Sequence, residues 1–158
     1  MLNPDGVIIG NYRCSLAAVD LNRQWASPHP KTHPEIYACM TMIKKTLESR
    51  PIFFFCDIHG HSRNKNLFMY GCNVLTGPHR LKERIFPLMF SQREENFSYD
   101  ECNFNIQKTK ESTARVVMHK INIQNSYTLE CSFCGPTQGK YMSYHFNPNV
   151  MRNMGREF

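Results

Sequence analysis

No stretch of eighteen apolar residues occurs in these 158 residues, nor does a charged start lead into an apolar run, so a soluble chain without membrane helix or leader peptide is expected. Tandem repeats and low-complexity linkers are missing too, and the length suits one domain or a piece of one. There is no Lys/Arg block, no aromatic-studded RNA motif and no zinc-finger spacing. The excess of 19 Lys and Arg over 13 Asp and Glu, a net +6, therefore favours an acidic partner read at a few positions over nucleic acid. Cysteine comes as an odd seven, scattered through apolar contexts, which suits a reducing compartment. The lone close pair, Cys131 and Cys134, lacks a second pair to complete four zinc ligands, so both read as structural.

What is present alternates between helical and extended patterns. Asn3-Pro4-Asp5-Gly6 is a turn signal, followed by a polar loop to Trp25. Ile36, Met40, Ile43 and Leu47 recur at helical spacing and predict an amphipathic helix over His33 to Ser49. The apolar run Ile52 to Ile58 predicts a strand buried on both faces, interior to a mainly parallel sheet. Leu67 to Cys72 predicts a strand and Pro78 to Phe90 a helix, with an irregular Ser91 to Asn103 after them. Thr113 to Lys120 predicts a short helix, Asn125 to Phe133 a strand, and the residues from Asn149 the start of a helix. The fold class that follows is α/β, a mixed, mainly parallel sheet flanked by helices.

Four places carry chemistry. Asp57, His59 and His61 stand where the first strand's apolar run ends, and ligands collect beyond such carboxyl ends in open α/β sheets. A single histidine there more often caps loop carbonyls; its two neighbours favour a site. Along Asn125 to Phe133, Tyr127, Leu129, Cys131 and Phe133 share one face, while Thr128, Glu130 and Ser132 share the other. Glu130 is thereby a general base with a raised pKa or the partner of a structural arginine. Asp20-Leu21-Asn22-Arg23 offers an amide and a guanidinium that suit a carboxylate, in a loop where such residues are often merely solvated. Arg115, beside Val116, Val117 and Met118, either snorkels to solvent or meets an anion in a pocket.

These blocks, "MLNPDGVIIGNYRCSL", "DLNR", "DIHGHSRNKNLFMYGCN", "KESTARVVM" and "NSYTLECSFCG", resemble the cytosolic carboxypeptidase branch of the zinc carboxypeptidases, in the family's order and over almost the whole chain. The resemblance implies that His59 is a zinc ligand and that Glu130 activates the zinc-bound water. It implies that Asn22 and Arg23 clamp the substrate's terminal carboxylate, Arg13 stabilises the oxyanion, and Asp20 orients a zinc-bound histidine. Arg115, fifteen positions before Glu130, matches the base of the pocket for the departing side chain, where it would pair with an acidic residue. The implied activity is removal of C-terminal or side-chain-linked glutamates from acidic, glutamate-rich protein tails, tubulin foremost. The implied cofactor is one zinc ion, and the implied location is the cytoplasm, at microtubules or cilia, with no nucleic-acid or membrane partner.

Two departures qualify this. The family's His-x-x-Glu pair is missing, since none of His29, His33, His59, His61, His79, His119 and His145 has Glu three residues on. Two further zinc ligands are thus expected upstream of Met1, and residues 1–158 are expected to be the C-terminal portion of one catalytic domain, incomplete at its N-terminal side, without its upstream half or the branch's β-rich domain. The competing expectation is a truncated, inactive module that binds acidic tubulin tails. Ala18 also stands where relatives usually carry Gly, which matters if the backbone there is left-handed.

Overall fold

The structure is a computed structural model that describes Met1–Phe158. Its centre is a sheet of three strands, β1 (Phe54–His61), β2 (Leu67–Tyr70) and β3 (Asn125–Ser132), in the order β1-β3-β2. β3 runs parallel to β1 and antiparallel to β2, so the sheet is mixed, with one pairing of each kind. Five helices accompany it: α1 (Pro4–Ile9), α2 (Pro34–Ser49), α3 (Ile85–Ser91), α4 (Ala114–Lys120) and α5 (Pro148–Glu157).

Side-chain alternation sorts the core into two layers. On one face, Ile36, Met40 and Ile43 of α2 pack with Val117 and Met118 of α4, and Phe55 of β1 leans on that cluster. On the other, Tyr127 and Leu129 of β3 and Leu67 and Met69 of β2 pack with Phe90 of α3 and Val150 and Met154 of α5. Helices thus cover both faces, as alternating helical and extended segments require. The irregular segment after α3 has a defined job. Backbone bonds from Leu67 N–H to Asn96 O (3.0 Å), Ser98 N–H to Leu67 O (2.8 Å) and Asn103 N–H to Met69 O (3.1 Å) close the free edge of β2.

Five expectations are corrected. β1 is an edge strand, half-buried rather than buried on both faces, with Ile58 69% and Phe53 83% exposed. Ile52, Phe54, Phe55 and Cys56 of its apolar run pack on the core, whereas Ile58 is exposed. β1 also continues through His61, so Asp57, His59 and His61 lie on the strand and not after it. The Asn3-Pro4-Asp5-Gly6 turn is a helix start: the Asn3 side chain accepts from Gly6 N–H at 3.2 Å and Pro4 takes the first turn, where its missing N–H costs nothing. The helix expected from Pro78 begins only at Ile85, after a 3-10 turn at Lys82–Arg84, because Leu81 adopts a left-handed φ of 65°. Phe133, assigned to the apolar face of β3, lies past its end, 60% exposed and against Gly60, where a Cβ would strike its ring.

The loop that delivers Asp20 is a tight return in which Ser15 N–H donates to Val19 O at 2.9 Å and Ala18 N–H to Ser15 O at 3.0 Å. Closing it puts Ala18 at φ 57°, a conformation that disfavours any Cβ by roughly 1–2 kcal/mol. Ala18→Gly relieves that strain while loosening the unfolded chain, for a net gain of about 0.5–1 kcal/mol. Denaturant unfolding should show the higher midpoint; an unchanged or lower one would contradict a strained Ala18.

Candidate active site

The parallel register sets the site. His59 pairs with Glu130, and Phe68 of β2 pairs with Glu130 from the other side. One row back lie Asp57, Thr128 and Tyr70, and one row on lie His61 and Ser132. Residues in register point to the same face, so Asp57, His59, His61, Thr128 and Glu130 share one surface. That surface floors a cleft of about 520 Å³ whose 18 lining residues include only two hydrophobic ones. Five lining cations, Arg13, Arg23, Arg63, Lys110 and Arg115, face a single lining carboxylate, Glu130.

His59 is held from two sides. Its Nε2 lies 2.7 Å from Asp57 Oδ2 and 3.2 Å from Asn22 Nδ2. The Asp57 carboxylate accepts from Nε2–H, so the Asn22 amide N–H beside that nitrogen is a contact and not a hydrogen bond, and Nδ1 is left with the open lone pair, the arrangement by which a carboxylate orients a metal-binding imidazole. The same Asp57 contact holds the His59 pKa above its ordinary value against the opposing pull of burial. His59 therefore fits a metal ligand. The chain nevertheless contains no group of three His, Cys, Asp or Glu side chains able to hold an ion, and a catalytic zinc needs three protein ligands. By themselves these residues do not make a zinc site.

Glu130 is half-buried, and burial pushes its carboxyl up to about 6, with Asp57 adding to the rise and His59, Arg115 and Arg13 opposing it. A carboxylate poised there can exchange a proton near neutrality. Arg115 is 6% exposed, so it does not snorkel. It projects from α4 into the cleft, donates from Nη1 to Thr128 Oγ1 at 3.2 Å, lies 5.5 Å from the Tyr70 ring centroid, and has a buried Nε without a partner. A buried guanidinium so incompletely bonded is a receptor for an anion.

The Asp20–Arg23 segment forms a 3-10 turn in which Asp20 accepts from Asn22 N–H at 3.0 Å. The Asp20 carboxylate also meets Arg13 Nε at 3.0 Å and Arg23 Nη1 at 3.9 Å. Within this chain Asp20 thus positions two arginines, and the carboxylate against the histidine is Asp57. Asn22 is a cross-brace: Oδ1 accepts from Ala114 N–H at the start of α4 (2.9 Å), while Nδ2 faces His59. One amide links the clamp loop, the histidine and the helix that carries Arg115.

Four residues gain a role that the sequence reading did not assign. Asp57 stands on the face of His59 by simple i,i+2 alternation, a signal that was available. Lys110 sits on the cleft wall, where burial and the nearby Arg23 and Arg13 hold its amine below its ordinary pKa. Tyr70 and Thr128 flank Arg115, which only the β2–β3 register reveals. Of the cysteine pair, Cys131 packs on the core with its thiol pushed up by burial, and Cys134 is exposed.

No protein-family model matches the chain. The fold is that of the metallo-carboxypeptidases: it superimposes on such a protein from Burkholderia cenocepacia with a TM-score of 0.77 at 22% identity, covering 99% of this chain and 40% of that one. A metallo-carboxypeptidase from Pseudomonas aeruginosa aligns with a TM-score of 0.76 at 22% identity, over 99% of this chain and 42% of that one. More particularly, the chain is homologous along its whole length to the cytosolic carboxypeptidases. It is 49% identical over 164 residues to cytosolic carboxypeptidase 3 of Bos taurus, covering 100% of this chain and 16% of that protein. Cytosolic carboxypeptidase 2 of Mus musculus is 49% identical over 156 residues, covering 98% of this chain and 18% of the relative. The chain thus spans about a sixth of the length of these relatives.

Because the Glu130 carboxyl is raised from its ordinary 4.5 to about 6, the folded state holds more protons than the unfolded one between those values, and stability falls as pH rises through that window. Glu130→Gln removes the buried charge. The variant should be more stable than the parent by about 1–2 kcal/mol at about pH 7.5, with the gain shrinking toward zero at about pH 4. Denaturant midpoints at the two pH values decide it; an equal difference at both would mean that Glu130 is not titrating as described.

Proposed function

We propose that this chain carries the general base and the substrate carboxylate receptors of a zinc-dependent carboxypeptidase, one that removes C-terminal or side-chain-linked glutamates from acidic protein tails such as those of tubulin. The observation that carries the reading is Arg115, a buried guanidinium with an unpartnered Nε in a cleft one row from Glu130. Homology to proteins named cytosolic carboxypeptidases supports the reaction class and a cytoplasmic setting. One zinc would be bound by His59 with two ligands from outside these residues, and would supply Lewis acidity and an acidified water.

The chain's own residues have these tasks. Arg23, aligned by Asp20, binds the terminal carboxylate together with the free N–H of the Asn22 amide. Arg115 meets the departing residue's side chain. An opposite charge at ~4 Å is worth about 4 kcal/mol of gross attraction at an effective dielectric near 20, before desolvation. Glu130 takes a proton from the attacking water and returns it to the leaving amine. Arg13 donates to the carbonyl oxygen as negative charge develops on it.

A second reading is favoured by the lack of any three-ligand group: a binding module for acidic tails that does not hydrolyse them. The test is a catalytic domain that carries this sequence together with a segment supplying the two further ligands. It should bind one zinc and release glutamate from a glutamate-ending peptide, whereas zinc uptake without release would favour the binding module. Arg115→Ala should lower kcat/KM on glutamate-ending peptides by about 10- to 100-fold and on neutral-ending ones by little, as expected for a lost charged hydrogen bond. Equal losses on both substrates would remove Arg115 from the specificity pocket.

A further inference from the structure

Arg115 is held differently from the arginines of the clamp loop. Arg13 and Arg23 are aligned by the Asp20 carboxylate, which offsets part of their charge. Arg115 forms no such ion pair. Its Nη1 donates to the neutral Thr128 hydroxyl, and its Cζ stands over the Tyr70 ring, 5.5 Å from the centroid. A ring face attracts a guanidinium through its quadrupole but carries no net charge, so it orients the cation without neutralising it. Burial, with Glu130 adding to it, raises the Tyr70 phenol above its ordinary pKa, so the ring stays neutral and does not compete for Arg115 as an anion.

The Tyr70 ring is itself fixed. β2 puts Tyr70 opposite Thr128 and Phe68 opposite Glu130, so both rings stand on the cleft face of the sheet. Phe68 is fully buried and meets Tyr70 edge-on, with centroids 5.5 Å apart and planes at 81°. Phe68 also meets the His61 ring edge-on, at 5.2 Å and 72°. His61 Nδ1 in turn accepts from Arg63 N–H at 3.2 Å and from Asn64 N–H at 2.9 Å. A row of braced rings thus runs from an anchored loop to the guanidinium. Edge-to-face contact is a favoured aromatic geometry, and a ring with only two rotatable angles has little freedom to lose.

We propose that Tyr70 is a positioning residue for Arg115: backed by Phe68, its ring sets the plane of the guanidinium and leaves the charge unneutralised for the carboxylate of the departing residue. The inference rests on the reading of the cleft as a carboxypeptidase site with Arg115 at the departing side chain. It gives Tyr70 no part in the bond-breaking step. What it adds is a cause for discrimination between a carboxylate and a carboxamide of the same shape. A carboxylate accepts at both oxygens, whereas a carboxamide turns an N–H toward one of the guanidinium donors. That difference is felt only by a guanidinium whose plane is held.

The test is equilibrium binding of two peptides, identical but for a C-terminal Glu or Gln, to the catalytic domain described above in its metal-free form, so that neither peptide is cleaved. Tyr70→Leu should weaken binding of the Glu peptide about threefold to tenfold and of the Gln peptide by less than about twofold. Tyr70→Phe keeps the ring and should keep the parent's Glu-to-Gln ratio, a rescue that mere filling of space would not require. If Tyr70→Leu fails to fold, Tyr70→Met, unbranched and adaptable, takes its place. In the unmutated domain, nuclear Overhauser contacts should join the Arg115 side-chain N–H groups to the Tyr70 ring protons. Equal losses on both peptides in Tyr70→Leu, a loss in Tyr70→Phe as large as in Tyr70→Leu, or absence of those contacts would overturn the positioning role. Arg115→Gln reads the underlying function separately. If it keeps the parent's preference for Glu, the carboxypeptidase reading of the cleft falls; if it loses that preference while Tyr70→Leu keeps it, only the role of Tyr70 falls.

Discussion

Everything in the cleft depends on the parallel pairing of β1 with β3. The pairing aligns Phe54 with Asn125 through to His61 with Ser132, without a bulge. A slip of one residue in either strand would put His59 opposite a side chain of the other face and send Glu130 toward the apolar layer. That slip is opposed by the core itself, since Tyr127 and Leu129 are buried on the far face while Phe55 packs against the α2–α4 cluster on the near one. Packing that stabilises the sheet thereby also specifies the chemistry.

A second level of order comes from shared polar groups. Asp20 holds Arg13 and Arg23, Asp57 holds His59, and Asn22 ties His59 to the first turn of α4. Only the contacts of Asn22 cross between segments remote in sequence, and through that one amide the clamp loop, the histidine strand and the Arg115 helix are held together. The cleft also keeps features unfavourable to the isolated fold: a half-buried carboxyl raised to about 6 and a buried guanidinium with an unpartnered Nε. Incompletely satisfied charged groups that face a common cleft are typical of binding sites.

Local patterns made much of this legible in the sequence. Alternation along Asn125 to Phe133 placed Glu130 opposite the apolar face, helical spacing placed Ile36, Met40 and Ile43 in the core, and the absence of His-x-x-Glu marked the ligand set as incomplete. What stayed hidden was non-local. The Asn22 amide bonds a residue 92 positions away, and no spacing rule predicts that its oxygen is spent on Ala114 N–H. The apolar run of β1 reads the same whether a second strand covers it or its edge is open, so its exposure at Ile58 was not visible. Asn3-Pro4-Asp5-Gly6 satisfies both turn chemistry and helix capping, and only the fold chooses between them.

The central claim is that the register of β1 and β3 builds a receptor for glutamate carboxylates around His59 and Glu130. Its most direct test is nuclear magnetic resonance titration of the chain with a glutamate-ending peptide. The account predicts saturable shifts centred on Arg23, Arg115, Thr128 and Glu130, lost when the terminal carboxylate is amidated. Shifts located outside the cleft, or unaffected by amidation, would contradict it.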